Sequence, residues 1–365
     1  MFIDIATASP PYKAVQSKVK EELKKRMAGQ PAIARIIESV SNNSGIETRY
    51  FVVPDADESA ESKFFSSNGN FLRPGTKRRM EEYEKWSKSL AAEAVKKLIM
   101  STEIDPASIG RIVTVSCTGF YAPGLDYHLI NELQLNSDVK RTNIGFMGCA
   151  ASLIGFNTAL EAMNRDGKRS NILLISVELC SLHLQTESTK DNILANLIFA
   201  DGAAAALFAP YKLHPGIKCE IKATESIIFP GSSDYMGWKI GDFGFEMILS
   251  AELPKIILEK AVPALIDILK KNGLNKNDIK HWALHPGGRA ILDSLQNGIG
   301  LSDSDLKPSR YVLKNHGNMS SATILFVIKE ILQSGKIEHG DLICAVAFGP
   351  GLSMEVVLMQ GIRTE

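Results

Sequence analysis

The chain has 365 residues, 45% of them hydrophobic and 22% charged, and its 41 basic side chains balance its 41 acidic ones. This composition is typical of a globular protein, and the length favours two domains or an intimate duplication over a single core. The zero net charge argues against a broad surface for nucleic acid or for an anionic membrane.

Targeting and redox signals are also absent from the sequence. No apolar run is long enough to span a bilayer, and the first residues lack the basic and apolar segments of a signal peptide. The five cysteines form no CxxC pair and no metal-ligand spacing, so we expect reduced thiols. The sequence therefore predicts a soluble cytoplasmic protein without nucleic-acid or membrane partners.

The spacing of apolar residues predicts an alternation of helices and strands. In the first half these are a helix over 81–100, a strand over 112–115, a helix over 150–163 and a strand over 172–177. Cys117 and Thr118 follow the first strand, and Cys149 lies at the start of the second helix. Nearly all-apolar strands between helices predict sheets that are covered by helices on both faces.

The same order recurs in the second half. The predicted elements are a helix marked by apolar residues from 253 to 268, a strand over 282–284, a helix over 324–331 and a strand over 342–348. His285 follows the first of these strands, and Asn318 precedes the second helix. Cys117 and His285 are 168 residues apart, and Cys149 and Asn318 are 169 apart. Such a constant offset indicates a duplication, which we divide into halves 1–220 and 221–365.

The positions of these residues suggest catalysis by a thiol. A cysteine at a helix start faces unpaired N–H groups and the positive end of the helix dipole, both of which favour thiolate. Taken alone, Cys149 could be a core residue, His285 a turn residue and Asn318 a helix cap. A pseudo-twofold between the halves would bring the three together, and this convergence favours a catalytic triad.

Four segments resemble those of chalcone synthase-like type III polyketide synthases, and the resemblance extends over nearly the whole chain. They are Gly148-Cys-Ala-Ala-Ser152, Trp282-Ala-Leu-His-Pro-Gly-Gly288, Gly317-Asn-Met-Ser-Ser-Ala322 and Phe348-Gly-Pro-Gly351. The resemblance implies the α/β thiolase fold, with layered αβαβα halves related by a pseudo-twofold, in a homodimer. It further implies acyl-CoA starters and malonyl-CoA extenders, with no bound cofactor.

By this resemblance the reaction is an iterative decarboxylative Claisen condensation, followed by cyclisation to an aromatic or pyrone product. Cys149 would hold the acyl chain, and His285 would be its imidazolium partner. His285 and Asn318 would both donate to the oxygen of the malonyl-derived enolate. The starter, the number of extensions and the ring closure stay open.

The resemblance also implies a set of substrate-binding residues around the triad. These are Phe199, Met247, Cys117, Thr118, His183, Trp238, Gly287, Ser320, Gly349 and Pro350. Phe199 would gate the mouth of the cavity, and Met247 would stand where plant enzymes have a second gating Phe. Trp238 would fill space that a glycine leaves open in chalcone synthases.

The expected CoA site departs from the family pattern. Plant relatives hold the CoA phosphates with basic residues on an N-terminal helix, but the matching stretch 36–43 contains no Lys or Arg. Arg35 and Arg49 are only nearby, so the sequence assigns no residue to the phosphates.

Three other functions are compatible with parts of the sequence. A ketoacyl synthase III would share the triad and perform a single condensation, but it does not predict the Phe199 motif. A thiolase would need a second catalytic cysteine, and Cys344 lies inside an apolar run. A non-catalytic scaffold of the same fold has no need of an intact triad.

Overall fold

The structure is a computed structural model, and it describes residues 2–26, 30–56, 63–67, 70–165, 171–210 and 216–364. Its strands are β1 (Phe2–Ala8), β2 (Tyr12–Val15), β3 (Thr48–Phe51), β4 (Ser66–Ser67), β5 (Asn70–Phe71), β6 (Ile109–Ser116), β7 (Lys140–Gly145), β8 (Asn171–Leu179), β9 (Asp201–Ala209), β10 (Gly216–Ile228), β11 (Met236–Gly241), β12 (Gly244–Leu249), β13 (Ile279–Leu284), β14 (Leu342–Gly349) and β15 (Ser353–Thr364).

Helices cover the central sheet. They are α1 (Gln16–Arg26), α2 (Pro31–Asn43), α3 (Thr76–Thr102), α4 (Leu125–Glu132), α5 (Ala151–Arg165), α6 (Lys190–Ile198), α7 (Leu253–Ile256), α8 (Val262–Lys271), α9 (Arg289–Ile299), α10 (Lys307–His316) and α11 (Thr323–Leu332). A π-helical turn over Ile257–Ala261 joins α7 to α8. None of these described helices is both long and apolar enough to cross a membrane.

The predicted elements are confirmed with slightly different bounds, except that the helix predicted from 253 to 268 is divided into α7, the π-helical turn and α8. The helix predicted over 81–100 is α3, and the strands predicted over 112–115 and 172–177 are β6 and β8. In the second half, the predicted strands are β13 and β14 and the predicted helix over 324–331 is α11. Apolar periodicity located the elements because each one buries a continuous stripe or a whole strand.

The sheet repeats one order of four strands on both sides of its centre, and β7 is an additional edge strand in the first half. The first half contributes β1-β9-β8-β6-β7 and the second contributes β10-β15-β14-β13, and antiparallel pairing of β1 with β10 joins them. The predicted duplication is therefore visible in the topology. The boundary that we drew after residue 220 falls within β10, and the division into halves stays a prediction.

One helix from each half also packs against strands of the other half. Helix α5 contacts β6 and β8 and also β10 and β15, while α11 contacts β13 and β14 and also β1 and β9. The alanines of 203–206 are fully buried on β9, and their small side chains let α3 and α11 approach this strand. The starts of α5 and α11 consequently lie side by side, which positions the candidate site.

Candidate active site

Cys149 lies on a tight turn between β7 and α5. Phe146 and Gly148 have left-handed backbone conformations, with φ of 57° and 62°. A Cβ on Gly148 would lie 2.3 Å from Cδ of Pro350, so the close approach of these two loops requires glycine. The turn leaves Cys149 partly exposed, whereas the other four cysteines are buried.

The backbone of Asn318 is fixed to the segment that carries Phe199. The N–H of Asn318 donates to the carbonyl of Ile198 at 3.0 Å, and the N–H of Ala200 donates to the carbonyl of Asn318 at 2.8 Å. Gly317 precedes this bridge with φ of 71°, and a Cβ there would lie 2.8 Å from the Arg49 side chain. A side chain at 317 would therefore push Asn318 out of place.

Hydrogen bonds also fix the orientation of the Asn318 amide. Its Oδ1 accepts from the N–H of Ser320 at 2.8 Å, and its Nδ2 donates to the carbonyl of Gly287 at 3.2 Å. Because the oxygen is held by the backbone, the NH₂ group points toward the loop that follows His285. One of its two protons remains available for a bound oxygen.

His285 follows β13 and is held by its backbone, since its N–H donates to the carbonyl of Val346 at 2.8 Å. Only 2% of the residue is exposed. Both ring nitrogens are buried and have no hydrogen-bond partner in the part of the chain that the structure describes. A buried polar group without a partner is costly, and this orphaned imidazole indicates a position kept for a ligand.

One cavity of about 300 Å³ connects these residues. Of the predicted site residues, it is lined by Cys149, His285, Asn318, Phe199, Met247, Cys117, Thr118, Trp238, Gly287, Ser320 and Pro350. The structure therefore brings the predicted triad to one enclosed space. The described residues include no group of three or more His, Cys, Asp or Glu that could hold a metal ion.

Two predicted site residues, His183 and Gly349, do not line this cavity. His183 is locked by hydrogen bonds, with Nε2 2.7 Å from the carbonyl of Thr118 and Nδ1 accepting from the N–H of Phe245 at 2.9 Å. It lines a neighbouring pocket of about 80 Å³. Gly349 supports the Cys149 turn, because a Cβ there would lie 2.6 Å from the carbonyl oxygen of Met147.

Burial acts against the charged state that the sequence predicts for the triad. Although Cys149 keeps some accessible surface, desolvation of its thiol by the surrounding protein raises the pKa of Cys149 to about 12, and hydrogen bonds with Ser320 and Asn318 lower it in part. Burial also lowers the pKa of His285 to about 3. Burial penalises both charges of the expected thiolate–imidazolium pair and therefore favours a neutral resting pair. The thiol instead donates a hydrogen bond to Oγ of Ser320 at 3.7 Å.

Sequence reasoning missed Glu178, a fully buried carboxyl behind the cavity-lining residues Cys117 and Thr118. It accepts from the N–H of Cys117 at 3.0 Å, from the hydroxyl of Thr118 at 2.8 Å and from the hydroxyl of Ser321. Burial raises its pKa, and these donors lower it in part. The sequence could have indicated Glu178, because it is a single acidic residue in the apolar run of β8, where an unpaired buried charge would be costly.

Arg49, which the sequence places near the expected CoA site, has a structural role. It is 1% exposed, so it cannot contribute to a CoA site at the surface. Its guanidinium donates to the carbonyls of Phe199 at 2.6 Å and Asn196 at 2.9 Å, at the end of α6. Burial lowers its pKa to about 9, and the nearby Asp201 raises it in part. Arg49 therefore holds the backbone on which Phe199 sits.

The neutral state of Cys149 predicts how it reacts with iodoacetamide. Since only thiolate reacts, and the thiol pKa of about 12 lies above the tested range, the alkylation rate should rise about tenfold per pH unit between pH 6 and 9. Peptide mass spectrometry would follow the modification of Cys149. In Cys149→Ala the remaining buried thiols should stay unmodified over the same time. A rate that is independent of pH in this range would instead demonstrate the thiolate–imidazolium pair.

Comparisons with known proteins agree with this geometry. Residues 220–363 match the family model for the C-terminal domain of chalcone and stilbene synthases. Residues 63–216 match the model of FAE1/type III polyketide synthase-like proteins. The two matches together cover most of the chain, including all three triad residues.

Individual relatives match over nearly their whole length. The chain is 32% identical to a putative chalcone synthase of Bacillus subtilis, over 98% of this chain and 97% of the relative. It is 30% identical to an alpha-pyrone synthesis polyketide synthase-like protein of Mycobacterium tuberculosis, over 98% and 90%.

Solved structures give the same result. A polyketide synthase from the brown alga Ectocarpus siliculosus superposes with a TM-score of 0.91 at 29% identity, covering 99% of this chain and 98% of the other. The 1,3,6,8-tetrahydroxynaphthalene synthase of Streptomyces coelicolor gives 0.89 at 26% identity and full coverage of both chains.

Proposed function

The chain belongs to the chalcone synthase-like family of type III polyketide synthases, and from this membership we propose that it extends an acyl-CoA starter with malonyl-CoA on Cys149. The observation that carries the proposal is one 300 Å³ cavity onto which Cys149, His285 and Asn318 all open. These three side chains supply a nucleophile, a proton acceptor and an amide donor. Matches to type III synthases favour this reaction over the single condensation of a ketoacyl synthase III.

Loading begins with attack of Cys149 sulfur on the thioester carbonyl of the starter. Because the thiol is neutral at rest, its proton must leave during attack, and an unpartnered ring nitrogen of His285 is free to accept it. The sulfur–carbon bond to CoA breaks, and His285 returns the proton to the departing CoA thiolate. The products are acyl-Cys149 and free CoA, with both residues neutral in their resting and loaded states.

Extension uses the carboxylate of malonyl-CoA as the source of a carbon nucleophile. Loss of CO₂ leaves an electron pair that is shared between the α-carbon and the thioester oxygen. The free Asn318 Nδ2 proton and a neutral His285 N–H would donate to that oxygen, and neither donor is acidic enough to quench the enolate. The carbon attacks acyl-Cys149, which breaks the bond to sulfur and releases a β-ketoacyl-CoA. The sulfur leaves as a thiolate, and a proton from solvent restores the neutral Cys149 thiol for another cycle.

This chemistry needs no bound cofactor, because decarboxylation supplies the carbanion and the thioester carbonyl accepts its charge.

We also propose that the protein is cytoplasmic. Its five free cysteines support this location, since disulfides persist mainly in oxidising compartments. Recovery in the secreted fraction of expressing cells would argue against that location.

The two triad variants separate loading from decarboxylation. Cys149→Ala should abolish acyl transfer from acyl-CoA to the protein, measured by intact-protein mass spectrometry. Asn318→Ala should still load, but its release of CO₂ from malonyl-CoA should fall about 10²- to 10³-fold because one enolate donor is lost.

Cys344→Ala is the matched control, because Cys344 is buried in β14 and does not line the cavity. It should load and decarboxylate as the wild type does. Acyl-enzyme formation in folded Cys149→Ala would overturn the assignment of the nucleophile.

Trp238 is predicted to limit chain length, since it forms part of the wall between the catalytic cavity and the 80 Å³ pocket. Its Nε1 donates to the carbonyl of Cys117 at 2.7 Å, and its ring meets His183 edge-on. Trp238→Ala should join the two spaces, and products with more extensions or longer starters should appear by mass spectrometry. Trp238→Phe keeps most of the wall and should retain the wild-type product lengths. An unchanged product distribution in folded, active Trp238→Ala would contradict this role.

We propose that the enzyme is a homodimer, and an exposed apolar patch beside the site supports this. Phe120 and Met147 are 56% and 50% exposed, and Phe120 lies against Phe146 with ring centroids 6.2 Å apart. Wild-type protein should sediment as a dimer at micromolar concentration, and Phe120→Glu should shift it toward monomer. Tyr311→Glu, at an exposed aromatic on α10, should leave the dimer unchanged. A monomeric wild type would refute the proposal.

A further inference from the structure

The catalytic cavity has a single formal charge on its described lining. Arg289 is the one Lys or Arg among the lining residues, and Asp and Glu are absent from the same described set. The rest of the lining consists of apolar side chains, small polar groups and the triad. An anionic substrate that enters this cavity thus has one side chain available as a counter-charge.

Arg289 is the first residue of α9 and follows Gly287 and Gly288. Its side chain is 52% exposed, so it stands where the cavity meets solvent. The aliphatic part of its side chain packs against Gly45, because a Cβ at Gly45 would lie 3.6 Å from Cβ of Arg289. Asn43 and Ser44, next to Gly45, line the cavity too. The mouth is therefore bounded by the end of α2 on one side and by the start of α9 on the other.

The guanidinium of Arg289 is only partly neutralised, by a carboxylate that it shares with a second arginine. Its Nε is 3.6 Å from Oδ2 of Asp293, which is longer than a hydrogen bond. The other oxygen of Asp293 accepts from Arg310 at 2.7 Å, so two arginines share one carboxylate. The cluster of Arg289, Arg310 and Asp293 therefore carries a net positive charge. An arginine stays protonated at any physiological pH. Within the described ranges Asp293 is the one acidic partner of Arg289, so most of its donors can bind an anion.

We propose that Arg289 binds the phosphates of the CoA thioester substrates; this inference rests on the proposed use of CoA thioesters. CoA carries a pyrophosphate and a ribose phosphate at the end of the molecule opposite its sulfur. When the sulfur reaches Cys149, the phosphates must remain toward the mouth, where Arg289 lies. The two arginines near the end of α2 offer no alternative, because Arg35 does not line the cavity and Arg49, on β3, is buried. Arginine is well suited to the task, since its fork binds phosphate oxygens in pairs.

Isothermal titration calorimetry would compare the affinity of the wild type and its variants for CoA and for pantetheine. Pantetheine has the same thiol arm as CoA but no phosphate. Arg289→Gln should weaken CoA binding about 10- to 100-fold, as expected for the loss of one or two charge-assisted hydrogen bonds. Pantetheine binding should be unchanged. Arg289→Lys keeps the charge but not the fork, and it should recover part of the loss. Wild-type binding of CoA should also weaken with rising salt more steeply than binding by Arg289→Gln.

Lys270→Gln is the matched control, because it removes one positive charge from an exposed side chain of α8 that does not line the cavity. It should bind CoA as the wild type does. Equal CoA affinity in Arg289→Gln and wild type, or an equal loss for CoA and pantetheine, would overturn the proposal. Binding is measured without turnover, so a protein that binds CoA through Arg289 yet makes no polyketide would refute the proposed function and leave this inference standing.

Discussion

The site depends on a small group of buried polar contacts centred on Ser321. Its hydroxyl donates to the Glu178 carboxyl and lies 2.9 Å from the hydroxyl of Ser176 on β8. Its carbonyl accepts from the hydroxyl of Ser152 on α5 at 2.6 Å. The segment that carries Asn318 is thereby tied to both the strand and the helix of the other half. Each such bond contributes only about 1 kcal/mol, but breaking one would leave a buried partner unsatisfied, which costs more.

Burial is the common cause of the site's electrostatics. The enclosed cavity that strengthens hydrogen bonds to an enolate also penalises a thiolate and an imidazolium at rest. A neutral pair is consistent with the proposed cycle, because charge develops only when a thioester is present to receive it. The helix start at Cys149 stabilises the thiolate by less than burial destabilises it. The pKa of Cys149 is therefore raised rather than lowered.

Most of the framework could be predicted from the sequence, and what was missed has a physical reason. Periodic apolar residues located α3, β8 and α11 because burial of those stripes determines where the elements form. The role of Glu178 and the burial of Arg49 could not be predicted, because each is an isolated polar residue whose partners are backbone groups and hydroxyls far away in sequence. The position of His183 outside the cavity depends on a stacking contact with Phe245, with ring centroids 4.2 Å apart. Such contacts come from tertiary packing, which no local pattern encodes.

The duplication explains why three residues from distant loops could converge. Ser152 and Ser321 are 169 residues apart, the same offset that relates Cys149 to Asn318, and they are directly hydrogen-bonded. A residue can contact its own equivalent only near the axis that relates the two halves. Cys149 and Asn318 flank this pair at the starts of α5 and α11, after glycines with φ of 62° and 71°. The two halves thus present equivalent turns to one space, where one turn supplies the nucleophile and the other the amide donor.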